Sequence, residues 1–465
     1  MNAALSACWP LLLGIGLMML GNGLQGSLLG VRAGLEGFST ATTGIVMSGY
    51  YFGFLFGSII APKILASVGH VRVFAALASL ASTATLLHAV VPDPYFWGFI
   101  RIVTGFCFAG LFVVSESWLN DAATNETRGQ ILSIYMVITW IAMAGGQFLL
   151  VTSDPGGYIL FIVISILVSL ALIPMTLTAS TMPSIAQPKR LNLKALYKIS
   201  PLGVIGMLMI GVAHGAFFSM SAVYGSLIGL SLSQISTFIS VAIIGGALLQ
   251  IPIGQLSDRL DRRQVILITT LFAFGVAVVL YFVQQQSNGL MLMVGTTIFG
   301  GFAMPLYSLF IAYTNDYLEP DEMVAASSGL ILVNGVGAVF GPIAVSALMA
   351  NTGPYSFFLF MAAIHLFIAL FTLYRMTAKQ AIPLEEQSDF VAMPMRSSVV
   401  APTMNPESEE WEEEAVDDLQ FDSTKLSKAA MSILEDLGVS GDDDDDDDEE
   451  GDLMDDGPSL WNRNG

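Results

Sequence analysis

Apolar residues gather in windows of about 20, the length that crosses a bilayer core as a helix. Polar connectors separate windows near 8–30, 42–68, 72–91, 96–120, 129–151, 157–179, 201–227, 232–257, 264–284, 289–317, 323–350 and 355–376. The pattern predicts twelve membrane-spanning helices. Polar side chains inside the windows are few. The sharpest exception is Glu116, in VVSESWLND (113–121), at the end of a run that begins near Phe96. An ionised carboxylate facing lipid costs about 3 kcal/mol or more, so a residue of this kind asks for a role.

The connectors are asymmetric. One side carries Lys63 and Arg72, then Arg128, then Lys189, Arg190, Lys194 and Lys198, then Arg259, Arg262 and Arg263, and finally Arg375 and Lys379; the other side has Arg32. By the positive-inside rule the first side faces the cytoplasm, and so do both termini. Trp9, Trp97 and Trp118 near span ends suit an aromatic belt. The opening MNAALSACWP has no basic stretch and leads into a span-length segment, so a retained first helix is expected, not a signal peptide.

The connector at 180–200 divides a six-span half at 1–179 from another at 201–376, and the halves echo each other. Shifting the numbering by 195 lays Gly105 on Gly300, Asn120-Asp121 on Asn315-Asp316, and Gly146 on Gly341. A two-fold repeat of six spans is a transporter architecture, with solute held near mid-membrane between the halves. Small residues at four-residue steps, Gly49, Gly53 and Gly57 in the second span and Gly337 and Gly341 in the eleventh, let helices approach closely.

Composition agrees: the chain is 54% hydrophobic and 12% charged, with a mean hydropathy of +0.69. The net charge of −20 is unevenly placed. Residues 1–376 hold 13 Lys+Arg and 12 Asp+Glu, whereas residues 377–465 hold 5 and 26. A neutral membrane body therefore carries an acidic tail, which disfavours nucleic acid and anionic lipid as partners of the tail. The run GDDDDDDDEEGD (441–452) predicts disorder. Within the tail, Leu426, Ala429, Ala430, Ile433, Leu434 and Leu437 recur at helical spacing, so a short helix is expected near 424–437. It would dock on a cytoplasmic partner or on the body, or else remain a marginal helix in a solvating tail.

Enzyme chemistry has little to stand on. The chain contains no GxxxxGK[ST] phosphate loop, and its four histidines (70, 88, 214, 365) and two cysteines (8, 107) lack metal-ligand or redox spacing. No enzyme activity, cofactor or metal is expected. Uphill movement of a solute would need an ion gradient or an exchange partner.

The strongest local motif is GQLSDRLDRR (254–263) between the eighth and ninth spans. It resembles the cytoplasmic loop pattern G-x-x-x-D-R-x-G-R-R of the major facilitator superfamily, keeping Gly254, Asp258, Arg259, Arg262 and Arg263 and departing at Asp261, where the family has glycine. The first-half copy, PKILASVGHVR (62–72), keeps Gly69 and Arg72 but has Ala66 in the aspartate slot. A second family pattern is met by Arg101, Gly105, Asp121, Arg128 and Gly129. The resemblance spans residues 1–376, and GNGLQGSLLG, VGHVR, ESWLN and TRGQILSIYM look most like a bacterial YcaD-like branch. It implies an all-α fold of twelve helices in two pseudo-symmetric halves, in a bacterial inner membrane. Where efflux antiporters of the superfamily have a glycine-proline element in the fifth span, this chain has AGGQ, with Gln147 in place of proline.

The resemblance also implies that the first, fourth, seventh and tenth spans line the cavity. Their polar members include Asn22, Gln25, Arg101, Glu116, His214, Tyr307 and Asn315. Asn22, Gln25 and Tyr307 are candidates for solute contact or for inter-helix hydrogen bonding. Arg101 either snorkels or, by family resemblance, handles protons or anions. His214 is either structural or proton-coupling. Glu116 lies 15 residues beyond Arg101, about 22 Å along a helix, so the two share a face without pairing. It is a candidate proton carrier or a buried anchor. Gly69, Arg72, Asp121, Arg128, Gly254, Asp258, Arg259, Arg262 and Arg263 form a candidate cytoplasmic gate, with charge pairs that exist in one state of a rocking cycle; simple positive-inside anchoring is the alternative. The expected function is proton-coupled secondary transport of a small solute. Its rivals are multidrug or metabolite efflux by antiport, and a transporter-like sensor or scaffold whose acidic tail recruits a cytoplasmic partner.

Overall fold

The computed structural model describes residues 3–177, 192–284 and 289–408. All twelve predicted spans are helices, within a few residues of the expected bounds. They are α1 (Ala3–Leu35), α2 (Thr40–Val68), α3 (His70–Val90), α4 (Pro94–Asp121), α5 (Asn125–Phe148), α6 (Ile159–Leu177), α7 (Pro201–Leu227), α8 (Leu232–Ser257), α9 (Arg262–Val283), α10 (Gly289–Ala303 and Leu306–Asn315), α11 (Pro320–Thr352) and α12 (Ser356–Ala378). Polar caps start them. Ser39 accepts from the Thr42 amide, Asp93 from Phe96 ahead of the Pro94 first turn, and Ser231 forms a capping box with Gln234. Pro305, which has no N–H to give, splits α10. A short helix, Leu193–Ile199, precedes α7; most of the expected 180–200 connector lies outside the described residues.

The repeat seen in the numbering reappears in the packing. A methyl group at Gly105 would stand 1.9 Å from the Tyr50 carbonyl oxygen, and one at Gly300 2.1 Å from that of Ala242. Gly146 meets the Leu20 carbonyl at 2.4 Å and Gly341 the Val212 carbonyl at 2.2 Å. Thus α4 presses on α2 as α10 presses on α8, and α5 on α1 as α11 on α7. Replacing Gly105 with Ala should cost about 1–3 kcal/mol through overpacking. Gly98→Ala, one turn before Arg101 with open space around it, should be neutral or stabilising. Thermal unfolding of the two variants in detergent checks the contrast.

Large apolar side chains such as Ile141 (67%), Leu248 (66%) and Phe340 (58%) stand exposed in mid-span, as suits a lipid-facing surface. The aromatic belt is only partly seen. Trp9 is exposed, but Trp97 and Trp118 are buried. Trp97 turns inward because its indole N–H finds the carbonyls of His88 and Val91.

Two ends of the bundle differ. At the end away from the charged loops, the first six spans touch the last six. Gly30 of α1 lies against Ala222 and Val223 of α7, and Gly44 of α2 against Ser346 of α11. Ser236 and Ser240 of α8 donate to the carbonyls of Gln147 and Ala144 of α5. At the end bearing the 254–263 motif, a chain segment comes between them.

That segment differs most from expectation. The tail was expected to start at 377 and to be mostly disordered, yet residues 388–408 pack into the body as short 3-10 turns and extended chain, with Met393, Ser398, Ala401 and Met404 at 0–1% exposure. The reason is compositional: residues 390–406 contain no Asp or Glu, so this stretch can be buried where the flanking acidic text cannot. The expected helix at 424–437 lies outside the described residues.

Candidate solute cavity

Between the two sets of spans, Tyr50, Tyr51, Phe54, His214, Phe218 and Tyr307 enclose a small cavity of about 60 Å³. That is room for a few waters. Of the sequence candidates, His214 and Tyr307 line it directly, and Asn22 and Arg101 stand behind its Tyr50 wall. Asn22 of α1 donates to the Tyr50 hydroxyl at 2.9 Å. Arg101 of α4 is buried, with its guanidinium 4.5 Å from the Tyr50 ring centre. It does not snorkel; its place over the ring follows from Gly49, which lets α4 lie close on α2. His214 of α7 stands edge-on to Phe218, and its Nε2 has no hydrogen-bond partner among the described residues.

Glu116 of α4 is fully buried. One carboxylate oxygen accepts from the Tyr135 hydroxyl of α5 at 2.7 Å. The other accepts the Ser398 amide at 2.9 Å and the Ser398 hydroxyl. Tyr135 and Ser398 escaped the sequence reading because helical periodicity assigned Tyr135 no face, and Ser398 is 282 residues away from Glu116.

Two other candidates tie helices together. Gln25 donates to Thr85 of α3 at 3.0 Å, and Asn315 accepts from Ser327 of α11 at 3.2 Å. Gln147 does the same in place of the family's proline. It donates to the Gly23 carbonyl, accepts from Ser27, and thereby staples α5 to α1.

The gate candidates lie at the motif end. Gly69 joins α2 to α3 at φ 91°, a conformation that favours glycine. Arg72 and Arg259 are exposed, while Arg128 is buried. Asp121 ends α4. Arg262 is 1% exposed and bridges three groups: the Asp316 carboxylate, Asp258 at 3.1 Å and the Ser388 carbonyl at 2.7 Å. Asp261, the departure from the motif, caps α9 by accepting from the Arg263 amide and holds the Arg263 guanidinium at 2.9 Å. With φ −53° there, the backbone needs no glycine. These pairs join α8, α9 and α10 to one another and to the strap.

The strap itself, 388–408, runs in and back out. The Ser388 amide and hydroxyl donate to Asp316 at 3.1 and 3.0 Å. The Phe390 amide donates to Asp258 at 2.9 Å, and its ring covers Gly254, where a side chain would collide. Deeper, the Met393 amide donates to Ser308 at 3.0 Å, and Ser397 meets the Tyr307 hydroxyl at 3.3 Å. Arg396 donates to Asn22 and lies 5.0 Å over the Phe218 ring. After Ser398 the chain returns. The Val399 carbonyl accepts from Ser328 of α11 at 2.6 Å, Pro406 rests at Gly129 of α5, and Glu407 accepts the Asp389 amide at 2.7 Å.

Burial at the mouth shifts its acids. Asp316 is pushed up to about 6, mainly by desolvation, with Arg262 and Ser388 opposing. Asp258 and Glu407 are also raised by burial. Lys379, whose ammonium lies 3.8 Å over the Tyr317 ring, is lowered by burial.

A twelve-span bundle closed at one end, with a small, largely aromatic cavity between two equivalent sets of helices, is the architecture of a secondary transporter. The family model described as Major Facilitator Superfamily matches residues 11–247 and 204–403, and the chain belongs to that family. It is similar to the "Uncharacterized MFS-type transporter YcaD" of Salmonella arizonae, with 24% identity over 369 residues, 78% of this chain and 94% of the relative. Its fold is similar to that of the nucleoside transporter NupG, with a TM-score of 0.65 at 15% identity, over 82% of this chain and 100% of that one. It is also similar to a bacterial homologue of the human lysosomal transporter spinster, in an inward-facing and occupied conformation. There the TM-score is 0.64 at 13% identity, over 82% and 97% of the two chains.

Proposed function

We propose that the chain is a proton-coupled secondary transporter that carries a small solute by alternating access. The motif end and both termini would face the cytoplasm of a bacterial inner membrane. The positive-inside asymmetry supports that orientation. With the far end packed shut by Gly30, Gly44, Ser236 and Ser240, the described state is then inward-facing. The observation that carries the reading is the Glu116 site. A carboxylate sits fully buried in α4, bonded to Tyr135 of α5 and to Ser398 of the strap that runs between the two sets of spans. Such a group can exchange a proton whenever the cavity opens to water. Tyr307 and His214 on the cavity wall, with Asn22 and Arg101 behind Tyr50, are the solute and proton-path residues of this reading; Gln25 and Asn315 support it by tying helices together. Asp258, Arg262 and Asp316 act as the gate, and rocking of the two sets of spans must rearrange what they hold.

A thermal-shift screen of metabolites against the purified full chain tests the reading first, since a solute that binds the folded state raises its unfolding temperature. The stabilising solute should then accumulate in proteoliposomes under an inward proton gradient, and a protonophore should abolish accumulation. Gradient-independent flux would sink proton coupling. The efflux reading keeps a place because the cavity wall is aromatic; accumulation of lipophilic cations instead of metabolites would favour it.

A further inference from the structure

The cavity that the proposed function assigns to solute is occupied by the chain's own residues. The 388–408 strap enters between α8 and α10, reaches Asn22, Tyr307 and Glu116, and leaves past α5 and α11. What remains beside it is about 60 Å³. We infer that this strap is a built-in inhibitor, which excludes solute from the cavity and wedges the transporter in the state open at the motif end. The inhibition of transport rests on the solute-site reading; the wedge does not.

Three observations carry it. First, the strap takes the cavity's polar partners one by one: Arg396 uses Asn22, Ser397 uses Tyr307, and Ser398 gives both its donors to Glu116. A solute wanting those groups must displace it. Second, the strap stands between Glu116 and Gly129 on one side and Ser308 and Ser328 on the other. Alternating access requires these two walls to approach when the far end opens, so the strap must leave first. Third, its mouth is tied. Asp389 and Glu407 join the ingoing and outgoing arms, and Asp316, Asp258 and Arg262 hold Ser388 and Phe390. The strap therefore closes as a loop of fixed depth, anchored on the motif that the family reading assigns to the gate.

Docking is also reversible in character. Arg396 half-buries a guanidinium against an amide oxygen and an aromatic ring, partners that return less than a carboxylate would for the lost hydration. Binding of a partner to the acidic residues beyond 408 would pull on the arm that ends at Glu407, which offers a means of release.

The test uses the full chain in detergent. Tyr51→Cys places a thiol on the cavity wall, and its modification by a cationic methanethiosulfonate reagent is followed by mass spectrometry at that residue. Ser398→Glu sets a second carboxylate against Glu116, and Met393→Glu buries a charge beside Ser308; both changes lie on the strap and spare the body. Each should speed labelling at residue 51 by at least tenfold and open the chain to trypsin at Arg396. Equal labelling rates with and without these changes, or equal cleavage at Arg396, would overturn the wedge. Once the screen has supplied a solute, its apparent affinity should rise at least tenfold in the same variants; unchanged affinity with faster labelling would overturn the inhibition. Labelling and proteolysis need no solute, so failure of the transport reading leaves them interpretable.

Discussion

Glu116→Gln should reduce gradient-driven uptake at least about tenfold, the factor that about 1.4 kcal/mol of barrier makes, while leaving solute-for-solute exchange measurable. Glutamine keeps the shape and can still accept from Tyr135, but it cannot take up and release a proton. Its amide would also face the Ser398 N–H with a donor, so the strap contact weakens at the same time. The two effects are separated in the Met393→Glu background, where the strap is already released: there the substitution should still abolish the pH dependence of uptake. Tyr135→Phe removes one hydrogen bond of the carboxylate and should have a smaller effect. Wild-type uptake with unchanged pH dependence in Glu116→Gln would show that the residue is an anchor and nothing more.

Arg262→Met should be the most destabilising single change at the motif end, costing about 3–5 kcal/mol at pH 8, because it strands a buried carboxylate. Arg262 and Asp316 are 1% and 3% exposed at the side chain, and the Ser388 carbonyl loses its donor too. The pH dependence has a definite sign. Asp316 has its folded value raised to about 6, so the stability linked to it is fully present below the ordinary carboxylate range and is lost as pH rises through about 6. Asp258 and Glu407, also raised, act in the same direction. These acids face Arg262 and Asp389 as well as each other. Without Arg262 the opposing attraction is gone, so Asp316 rises further and the loss with pH grows. The gap between wild type and Arg262→Met should therefore widen from pH 5 to pH 8 in thermal unfolding, and Asp316→Asn should narrow it. A gap independent of pH would mean that Arg262 acts by packing alone.

The spans were legible because lipid imposes a length and a polarity on each helix separately, so a window of residues carries the signal without knowledge of its neighbours. The repeat was legible for a related reason. Gly105 and Gly300 must each admit a facing carbonyl, and the residue type survives where the rest has diverged. Glu116 stood out because its polarity violates the local rule. Its partners did not, since Tyr135 and Ser398 approach it through tertiary packing across 19 and 282 residues. Gln25 and Asn315 show the same limit: a polar residue in a cavity span reads alike whether it faces solute or a neighbouring helix. The tail was read by its charge, which hid an uncharged inner stretch. The absence of Asp and Glu between Asp389 and Glu407 was the available signal, but what that stretch covers follows only from the three-dimensional arrangement.

The central claim is that solute movement is coupled to proton movement through Glu116. Proteoliposomes containing the full chain with Met393→Glu and loaded with the pH dye pyranine test it directly, using the solute that stabilises the protein in the screen. Addition of that solute should shift the internal pH within seconds, inward acidification marking symport and alkalinisation antiport, and Glu116→Gln should remove the shift. Solute entry with no change in internal pH, or an undiminished shift in Glu116→Gln, would contradict the account.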